Sequence, residues 1–178
     1  MIEMTLNEGI ELIKTDKIDS FKAATWADLG CGSGLFTYAL ASLLKDESVI
    51  YAVDKKLSSF NKNPSLKNVL IKSVELNFEN TSLPFNKLDG ILMANSLHYV
   101  KNKKDFFEKT KTCLNVNGCF LIVEYDMEIA NHWVPYPISF LSLKKLFHDV
   151  GFSFVEKISE RPSVFNRANL YSAIVEHT

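Results

Sequence analysis

The feature that most constrains this chain is a glycine-rich stretch, DLGCGSG, between a short apolar run and a helical pattern. Its glycines, Gly30, Gly32 and Gly34, stand at alternate positions. Glycine lets backbone N–H groups approach a ligand because no Cβ stands in the way, and the following helix adds its positive dipole end. A tight strand-to-helix turn needs only one or two glycines. Three at this spacing favour a ligand-binding loop.

Apolar runs alternate with helical patterns over most of the chain. Strands are predicted at 25–30, 49–54, 69–74, 90–95 and 119–126. Helices are predicted at 5–18, 35–44, 103–114 and 143–150, the last with Ser142 as N-cap and Gly151 at its C-terminal end. The second, fourth and fifth strands are almost wholly apolar, as strands covered on both faces are. This alternation predicts βαβ units and a parallel sheet.

The chain ends in a different pattern, with two strands at 152–159 and 170–177 and no helix between them. Because a parallel connection needs a longer crossover, these two strands are predicted to pair antiparallel.

Composition excludes several classes of protein. A chain of 178 residues with net charge −1 has no general attraction for nucleic acid or anionic membrane. Cys31, Cys113 and Cys119 have no CxxC spacing, so we expect reduced thiols, no disulfide and no metal site. The N-terminal residues are acidic where a signal peptide is basic, and no apolar run is long enough for a membrane span. We therefore expect a cytoplasmic protein.

The glycine pattern differs from the dinucleotide fingerprint GxGxxG, because Leu35 stands where the third glycine belongs. Asp54 ends the second strand, where a carboxylate accepts both hydroxyls of a ribose and repels a 2′-phosphate. The residues therefore indicate a ligand with a free ribose and argue against a nicotinamide dinucleotide.

Five stretches resemble class I S-adenosylmethionine-dependent methyltransferases, and specifically small bacterial methyltransferase-domain proteins of type 11/25. They are DLGCGSG (28–34), VDK (53–55), LNFENTSLPF (76–85), LDGILMANSLHYV (88–100) and LNVNGCFLIVEYD (114–126). The resemblance covers almost the whole chain. It implies a Rossmann-like, doubly wound α/β sheet of seven strands in the order 3-2-1-4-5-7-6, with strand 7 antiparallel. It also implies one domain over 1–178, with an N-terminal helix or lid at 1–22 and a substrate loop at 127–142.

The resemblance assigns residues to the cofactor S-adenosylmethionine and its product S-adenosylhomocysteine. The implied cofactor-binding residues are Asp28, Gly30, Cys31, Gly32, Gly34, Asp54, Lys55, Asn77, Phe78 and Asn95. Asp54 is expected to hold the ribose. Asp28 either holds the ammonium group through water or shapes the loop. Asn77 offers an acceptor to the adenine amine, with Glu75 as a rival for that position.

Candidate catalytic residues follow the fourth and fifth strands. If the methyl acceptor must lose a proton, the candidate bases are His98, Tyr125 and Asp126. Spacing forces none of them, and His98 fits a packing residue as well as a substrate contact.

The segment at 127–142 is aromatic and contains two prolines. Trp133, Tyr136 and Phe140 either wall an apolar substrate pocket or pack on one another. Arg161 either binds an anionic substrate or pairs with a surface acid.

We therefore expect a methyltransferase that acts on an unidentified small molecule by in-line transfer. A nucleic-acid acceptor is disfavoured, because Asn95-Ser96-Leu97-His98 stands where related amine-modifying enzymes carry Asn-Pro-Pro-aromatic. A nonenzymatic cofactor-binding regulatory domain is one alternative. A NAD-type oxidoreductase is another, against which Leu35 argues. The oligomeric state stays open between a monomer and a homodimer.

Overall fold

The computed structural model describes residues 4–18, 21–61, 68–162 and 168–177. The strands are β1 (Thr25–Leu29), β2 (Val49–Asp54), β3 (Leu70–Glu75), β4 (Leu88–Ala94), β5 (Leu114–Tyr125), β6 (Phe154–Pro162) and β7 (Asn169–Glu176). The α-helices are α1 (Leu6–Ile13), α2 (Leu35–Leu43), α3 (Lys103–Thr110) and α4 (Phe140–Asp149). Short 3-10 turns occur at Leu97–Tyr99 and Lys111–Cys113.

The seven strands form one sheet in the order β3-β2-β1-β4-β5-β7-β6. Strands β1 to β5 pair in parallel, and β7 pairs antiparallel with both β5 and β6. This confirms the predicted α/β architecture, including the antiparallel seventh strand. The order reverses between β1 and β4, and open sheets of this kind bind ligands at the carboxyl ends of the strands on either side of that reversal.

Strand β5 shows why the middle of the sheet is so apolar. Its alternate residues Phe120 and Ile122 belong to one buried hydrophobic cluster, whereas Leu121 and Val123 belong to the other. Successive side chains of a strand point to opposite faces, so β5 is covered on both sides. The ends of such strands are where polar groups first become available to a ligand.

Helix α1 is a packed element of this fold. Thr5 and Glu8 form a capping box at its N-terminus, and Leu12 and Ile13 are buried against the sheet and α2. The helix ends at Ile13, so the prediction that it continues to residue 18 is wrong. Residues 1–3 and 19–20 of the predicted 1–22 segment lie outside the described residues, and its role as a lid stays a prediction.

Two boundaries around α3 and β5 differ from the sequence prediction. The α-helix ends at Thr110, and β5 begins at Leu114, before the Asn-Gly pair that was expected to precede it. The pair lies inside the strand because the register with β4 shifts there. A Cβ on Gly118 would lie 2.8 Å from the Leu88 carbonyl oxygen, so only glycine fits this close backbone approach.

Helix α4 begins three residues before its predicted start, at Phe140. Its N-cap is Ser139, whose hydroxyl accepts a hydrogen bond from the Ser142 N–H, so the prediction of Ser142 as the cap is wrong. Gly151 follows the helix with φ +96°, in its predicted place. None of the helices in the described residues is long and apolar enough to cross a membrane.

We predict that Gly90→Ala destabilises the sheet, because a Cβ there would lie 2.4 Å from the ring of Trp26 on the neighbouring strand. Overpacking of this kind should lower the free energy of unfolding by about 1–3 kcal/mol in urea denaturation. Trp26→Leu should relieve the clash, so the double variant should lose less than the sum of the two single losses. Additive losses would contradict the prediction. Val116→Ala, at an 89% exposed position, is the control.

Candidate active site

The carboxyl ends of β1, β2, β4 and β5 bring the sequence-predicted site residues to one edge of the sheet. The glycine loop at 30–34 leaves β1, Asp54 ends β2, Asn95 follows β4, and Glu124 lies near the end of β5. These positions meet because parallel strands end on the same side.

The steric surroundings differ among the three glycines of the loop. Gly30, Gly32 and Gly34 have φ values of +84°, +52° and +94°, a region that disfavours other residues. A Cβ on Gly30 would lie 2.4 Å from the Ser96 Cβ, and one on Gly34 would lie 2.8 Å from the Phe60 ring. A Cβ on Gly32 would meet nothing within 4 Å. The outer glycines are therefore required by packing, whereas the middle one faces open space.

Backbone hydrogen bonds anchor the loop to β2. The N–H groups of Gly30 and Cys31 both donate to the Val53 carbonyl, at 2.8 and 3.0 Å. The Gly32 N–H donates to Asp54 Oδ2 at 2.9 Å. The Cys31 side chain is buried, and this burial raises the pKa of its thiol far above the usual range. Cys31 therefore contributes its backbone to the loop, and its thiol stays protonated.

Asp54 lies at the edge of the site with its carboxylate turned toward the loop. Besides Gly32, it accepts a hydrogen bond from the Lys56 N–H at 3.3 Å. Its neighbour Lys55 is exposed, and the Lys55 ammonium lies 5.7 Å from the ring centroid of Tyr99. The segments that follow β2 and β4 thus approach each other at this edge of the sheet.

Asp28 is buried two residues before Gly30 and has one carboxylate oxygen without a partner among the described residues. Oδ2 accepts from the Thr37 hydroxyl at 2.6 Å, while the buried Oδ1 has no hydrogen bond. Burial raises the pKa of this carboxyl to about 7, and the charge of Asp54 adds to the shift. Unpaired acceptors are rare in protein interiors. A bound ligand or water molecule that donates a hydrogen bond to Asp28 Oδ1 would satisfy this one.

Asn95 repeats this situation at the end of β4, the strand beside β1. It has φ +53°, and its backbone N–H donates to the Val123 carbonyl at 2.8 Å. Its Oδ1 is buried without a partner among the described residues. Two neighbouring strands therefore end in an unused acceptor, on either side of the reversal in strand order.

The predicted adenine side is already partly organised by internal contacts. Asn77 Oδ1 accepts from the Glu79 N–H at 3.1 Å, which forms a small turn. Phe78 is buried, with its ring 6.0 Å from that of Phe106. Glu75, the rival to Asn77, is exposed at the end of β3. The cofactor roles of Asn77 and Phe78 stay predictions.

His98 lies in the turn after β4, buried against β5. Its Nδ1 lies 3.1 and 2.9 Å from the two carboxylate oxygens of Glu124, and its backbone N–H donates to Glu124 Oε1 at 3.0 Å. Sequence reasoning missed Glu124. The available signal was an acidic residue at the end of the apolar run CFLIV, where a fully covered strand has no place for an unpaired charge.

The other two candidate bases have different surroundings. The Tyr125 ring lies 6.2 Å from the His98 ring. Asp126 accepts from the Phe140 N–H at 2.9 Å, at the start of α4, and its other oxygen lies 3.5 Å from the Lys157 ammonium. Asp126 thus holds α4 to the end of β5, and its catalytic role stays a prediction.

The predicted substrate loop at 127–142 is fastened beside the His98 turn. The Tyr136 N–H donates to the His98 carbonyl at 3.0 Å. The Lys103 ammonium donates to the carbonyls of Val100 and Tyr136, at 2.9 and 2.7 Å. Burial lowers the pKa of Lys103 to about 8, although Glu124 opposes this shift.

The three aromatic residues of this loop have different surroundings and do not form one pocket wall. Phe140 packs edge-on to Tyr171, with ring centroids 5.7 Å apart, whereas Trp133 is 75% exposed. Tyr136 is fixed next to His98 and is 38% exposed. Of the three aromatics proposed as pocket walls, Tyr136 is the one that the structure holds at the site.

Arg161 lies near the end of β6 and pairs with α1. Its guanidinium donates to Glu8 Oε1 at 2.9 Å, which confirms the pairing with a surface acid.

A cavity of about 840 Å³ opens between residues 78–83 and α3, bordered by Phe78, Tyr99 and Tyr136. Neither the glycine loop nor Asp54 lines it. The candidate site is therefore defined by the glycine loop and by the unpaired acceptors at the ends of β1 and β4, Asp28 Oδ1 and Asn95 Oδ1, rather than by this cavity.

A family model described as "Methyltransferase domain" matches residues 27–122, which is more than half of the chain and runs from β1 into β5. The chain belongs to the methyltransferase domain family. This confirms the resemblance to class I S-adenosylmethionine-dependent methyltransferases, and the nicotinamide alternative is set aside. No curated protein matches the chain.

Solved structures of other methyltransferases share the fold of this methyltransferase domain. A methyltransferase from Methanosarcina mazei is 15% identical, with TM-score 0.67 over 91% of this chain and 95% of its own. One from Aquifex aeolicus is 17% identical, with TM-score 0.66 over 99% and 100%. Burkholderia thailandensis 1,6-didemethyltoxoflavin-N1-methyltransferase, solved with 1,6-didemethyltoxoflavin and S-adenosylhomocysteine, is 18% identical, with TM-score 0.64 over 88% and 72%.

We predict that Asp28 makes stability pH-dependent in the unliganded methyltransferase. Because the folded state raises the pKa of this carboxyl to about 7, it holds a proton between about pH 4 and 7 that the unfolded chain releases. The free energy of unfolding should therefore fall by a few kcal/mol as pH rises across that interval. Asp28→Asn should remove this slope in urea denaturation. The exposed control Asp149→Asn should keep it, and an unchanged slope in Asp28→Asn would refute the assignment.

Proposed function

We propose that this methyltransferase domain transfers a methyl group from S-adenosylmethionine to an unidentified small molecule by in-line displacement. One observation carries the proposal. Gly32 has an open Cβ direction and donates its N–H to the Asp54 carboxylate, and the adjacent strands β1 and β4 carry unpaired buried acceptors, Asp28 Oδ1 and Asn95 Oδ1, at their carboxyl ends. A ligand with both hydroxyl groups and an ammonium group suits this set of acceptors.

The residues present fit S-adenosylmethionine. Asp54 would accept the ribose hydroxyls, and the unpaired acceptors of Asp28 and Asn95 would receive the ammonium group. Asn77 and Phe78 would lie on the adenine side. The rest of the proposed cofactor set, which contributes backbone or lies at the rim, is Gly30, Cys31, Gly32, Gly34 and Lys55. When bound, the cofactor supplies an activated methyl group on a sulfonium, and the protein need only position the acceptor and exclude water.

The chain's own residues would provide a partly apolar acceptor side. Tyr99 lies on the turn that carries His98, and the Tyr136 N–H donates to the His98 carbonyl. Lys103 joins the Val100 carbonyl, after this turn, to the Tyr136 carbonyl of the substrate loop. Methyl transfer from a sulfonium disperses charge, so a site with few exposed charges favours it. Tyr125 and Asp126 remain candidate bases beside His98.

A small-molecule acceptor has two supports. The net charge of −1 gives no general attraction for nucleic acid. The Burkholderia neighbour, which shares the fold, was solved with a small heterocycle. A cytoplasmic location and a monomer or homodimer belong to the same proposal. A nonenzymatic domain that only binds the cofactor is the alternative that turnover would exclude.

We predict that Gly32→Ala separates ligand binding from folding. Its Cβ would enter open space that the ligand is proposed to use, so the dissociation constant for S-adenosylhomocysteine should rise about tenfold or more in calorimetry. The backbone strain alone should cost about 1–2 kcal/mol of stability. Gly151→Ala is the matched control, because Gly151 also has a positive φ and an open Cβ direction. Equal binding by both variants would place the ligand elsewhere.

We predict that Asp54→Ala lowers both cofactor affinity and turnover. Removal of a charged acceptor from two hydroxyl groups should raise the dissociation constant for S-adenosylhomocysteine about tenfold or more. Turnover is measured as transfer of labelled methyl from S-adenosylmethionine to a metabolite panel. Glu156→Ala, an exposed carboxylate on β6, should leave both unchanged. Tight binding without transfer to any metabolite would favour the regulatory alternative, and normal binding by Asp54→Ala would refute the ribose contact.

A further inference from the structure

His98 and Glu124 form a buried hydrogen-bonded pair between the turn after β4 and the end of β5. Both side chains are almost completely inaccessible to solvent. The Glu124 carboxylate contacts the His98 ring nitrogen Nδ1 and also accepts a hydrogen bond from the His98 backbone N–H. Taking two ionisable groups out of water is expensive, and an apolar pair of the same size is often no less stabilising. We therefore consider a role for this pair in the reaction rather than in stability.

The contact fixes which ring nitrogen carries the proton. A carboxylate against Nδ1 accepts a hydrogen bond, so Nδ1 is the N–H of the neutral ring and Nε2 keeps its lone pair. No described residue forms a hydrogen bond with Nε2. The backbone bond from His98 to Oε1 and the Tyr136 bond to the His98 carbonyl hold the residue at two further points. The imidazole is thus oriented as a base with one free nitrogen.

The charged and titratable groups around this pair come from four elements. Tyr99 lies on the same turn, with its ring 4.4 Å from the imidazole, and Tyr125 approaches from β5 at 6.2 Å. Lys103 on α3 and Tyr171 on β7 both lie within the field of Glu124. Burial lowers the pKa of Lys103 and Glu124 opposes that shift, whereas burial raises the pKa of Tyr171 and Glu124 adds to the shift. Glu124 is the acid in direct contact with the ring and thus the group that stabilises an imidazolium there.

We propose that His98 Nε2 removes the proton from a phenol-type hydroxyl acceptor and that Glu124 is the residue that positions it, an inference that rests on the proposed function. In this step the acceptor O–H bond breaks and its electron pair stays on oxygen, which becomes the nucleophile for methyl transfer. The proton bonds to Nε2. The resulting imidazolium lies against the Glu124 carboxylate, and the proton passes to water after product release.

A hydroxyl acceptor fits this pair better than an amine. A neutral amine already has a lone pair and loses its proton after methylation, whereas a phenol at neutral pH needs a base before or during attack. The exposed Tyr99 ring, 4.4 Å from the imidazole, offers flat apolar surface for an aromatic ring, and Tyr136, whose N–H bonds to the His98 carbonyl, has a second exposed ring. The acceptor class is therefore a phenol or a similar planar hydroxyl compound.

The first test compares phenols with anilines of the same ring skeleton as acceptors of labelled methyl from S-adenosylmethionine. Phenols should be the better acceptors. His98→Asn keeps a side-chain N–H for Glu124 but has no base, so kcat for phenols should fall about 10²–10⁴-fold. The exposed control His148→Asn should keep wild-type kcat. Preference for anilines, methylation of no phenol, or unchanged kcat in His98→Asn would each overturn the inference.

Glu124→Gln tests positioning. Loss of the carboxylate removes the charge that favours the imidazolium, so the acidic limb of the pH–kcat profile should move to lower pH and kcat should fall partially, with little change in KM. Glu156→Gln on β6 is the matched control and should leave the profile in place. A lowered kcat with an unmoved profile would mean that Glu124 is only structural, and would overturn its assignment.

Two measurements without an acceptor separate this inference from the proposed function. Calorimetry with S-adenosylhomocysteine should show binding by wild type, His98→Asn and Glu124→Gln alike. Wild type that fails to bind would refute the proposed function itself. In ¹⁵N-histidine NMR, the His98 ring, assigned by its loss in His98→Asn, should show the Nδ1–H tautomer. The Nε2–H tautomer, with binding intact, would overturn the inference alone.

Discussion

The close approach of β1 and β4 at their carboxyl ends is the contact on which the site depends. The Ser96 hydroxyl donates to the Leu29 carbonyl at 2.6 Å, and Gly30 has no room for a Cβ against Ser96. This contact sets the glycine loop directly beside the turn that carries Asn95 and His98. The two halves of the proposed reaction, cofactor binding and acceptor activation, are adjacent because these two strand ends touch.

Several buried polar groups lie at this edge, whereas the middle of β5 is apolar. Asp28, Asn95 and the pair of His98 with Glu124 all lie where strands end, and each has unusual hydrogen bonding. Interior polar groups cost free energy unless they are paired. Asp28 Oδ1 and Asn95 Oδ1 lack partners among the described residues, and a ligand bound at this edge would supply the missing hydrogen-bond donors.

Much of the fold could be predicted from sequence because its causes are local. Apolar strands alternate with helices, and the missing crossover after residue 151 indicates an antiparallel pair. The errors concern the ends of elements, which tertiary contacts decide. Ser139, not Ser142, caps α4, since either serine suits a cap and tertiary packing selects between them. Strand β5 passes through Gly118 because β4 approaches there, which no short pattern reveals.

The sequence by itself determined a glycine loop with a following acidic strand end, and so the class of ligand and the family. Only the tertiary structure decided how each of these residues is packed and hydrogen-bonded. It showed that Gly30 and Gly34 serve packing while Gly32 faces open space, and that Glu124 orients His98 from 26 positions away in the chain. Short patterns record how a segment folds, whereas partners distant in sequence meet only when the sheet assembles, so contacts of that kind leave no local signature.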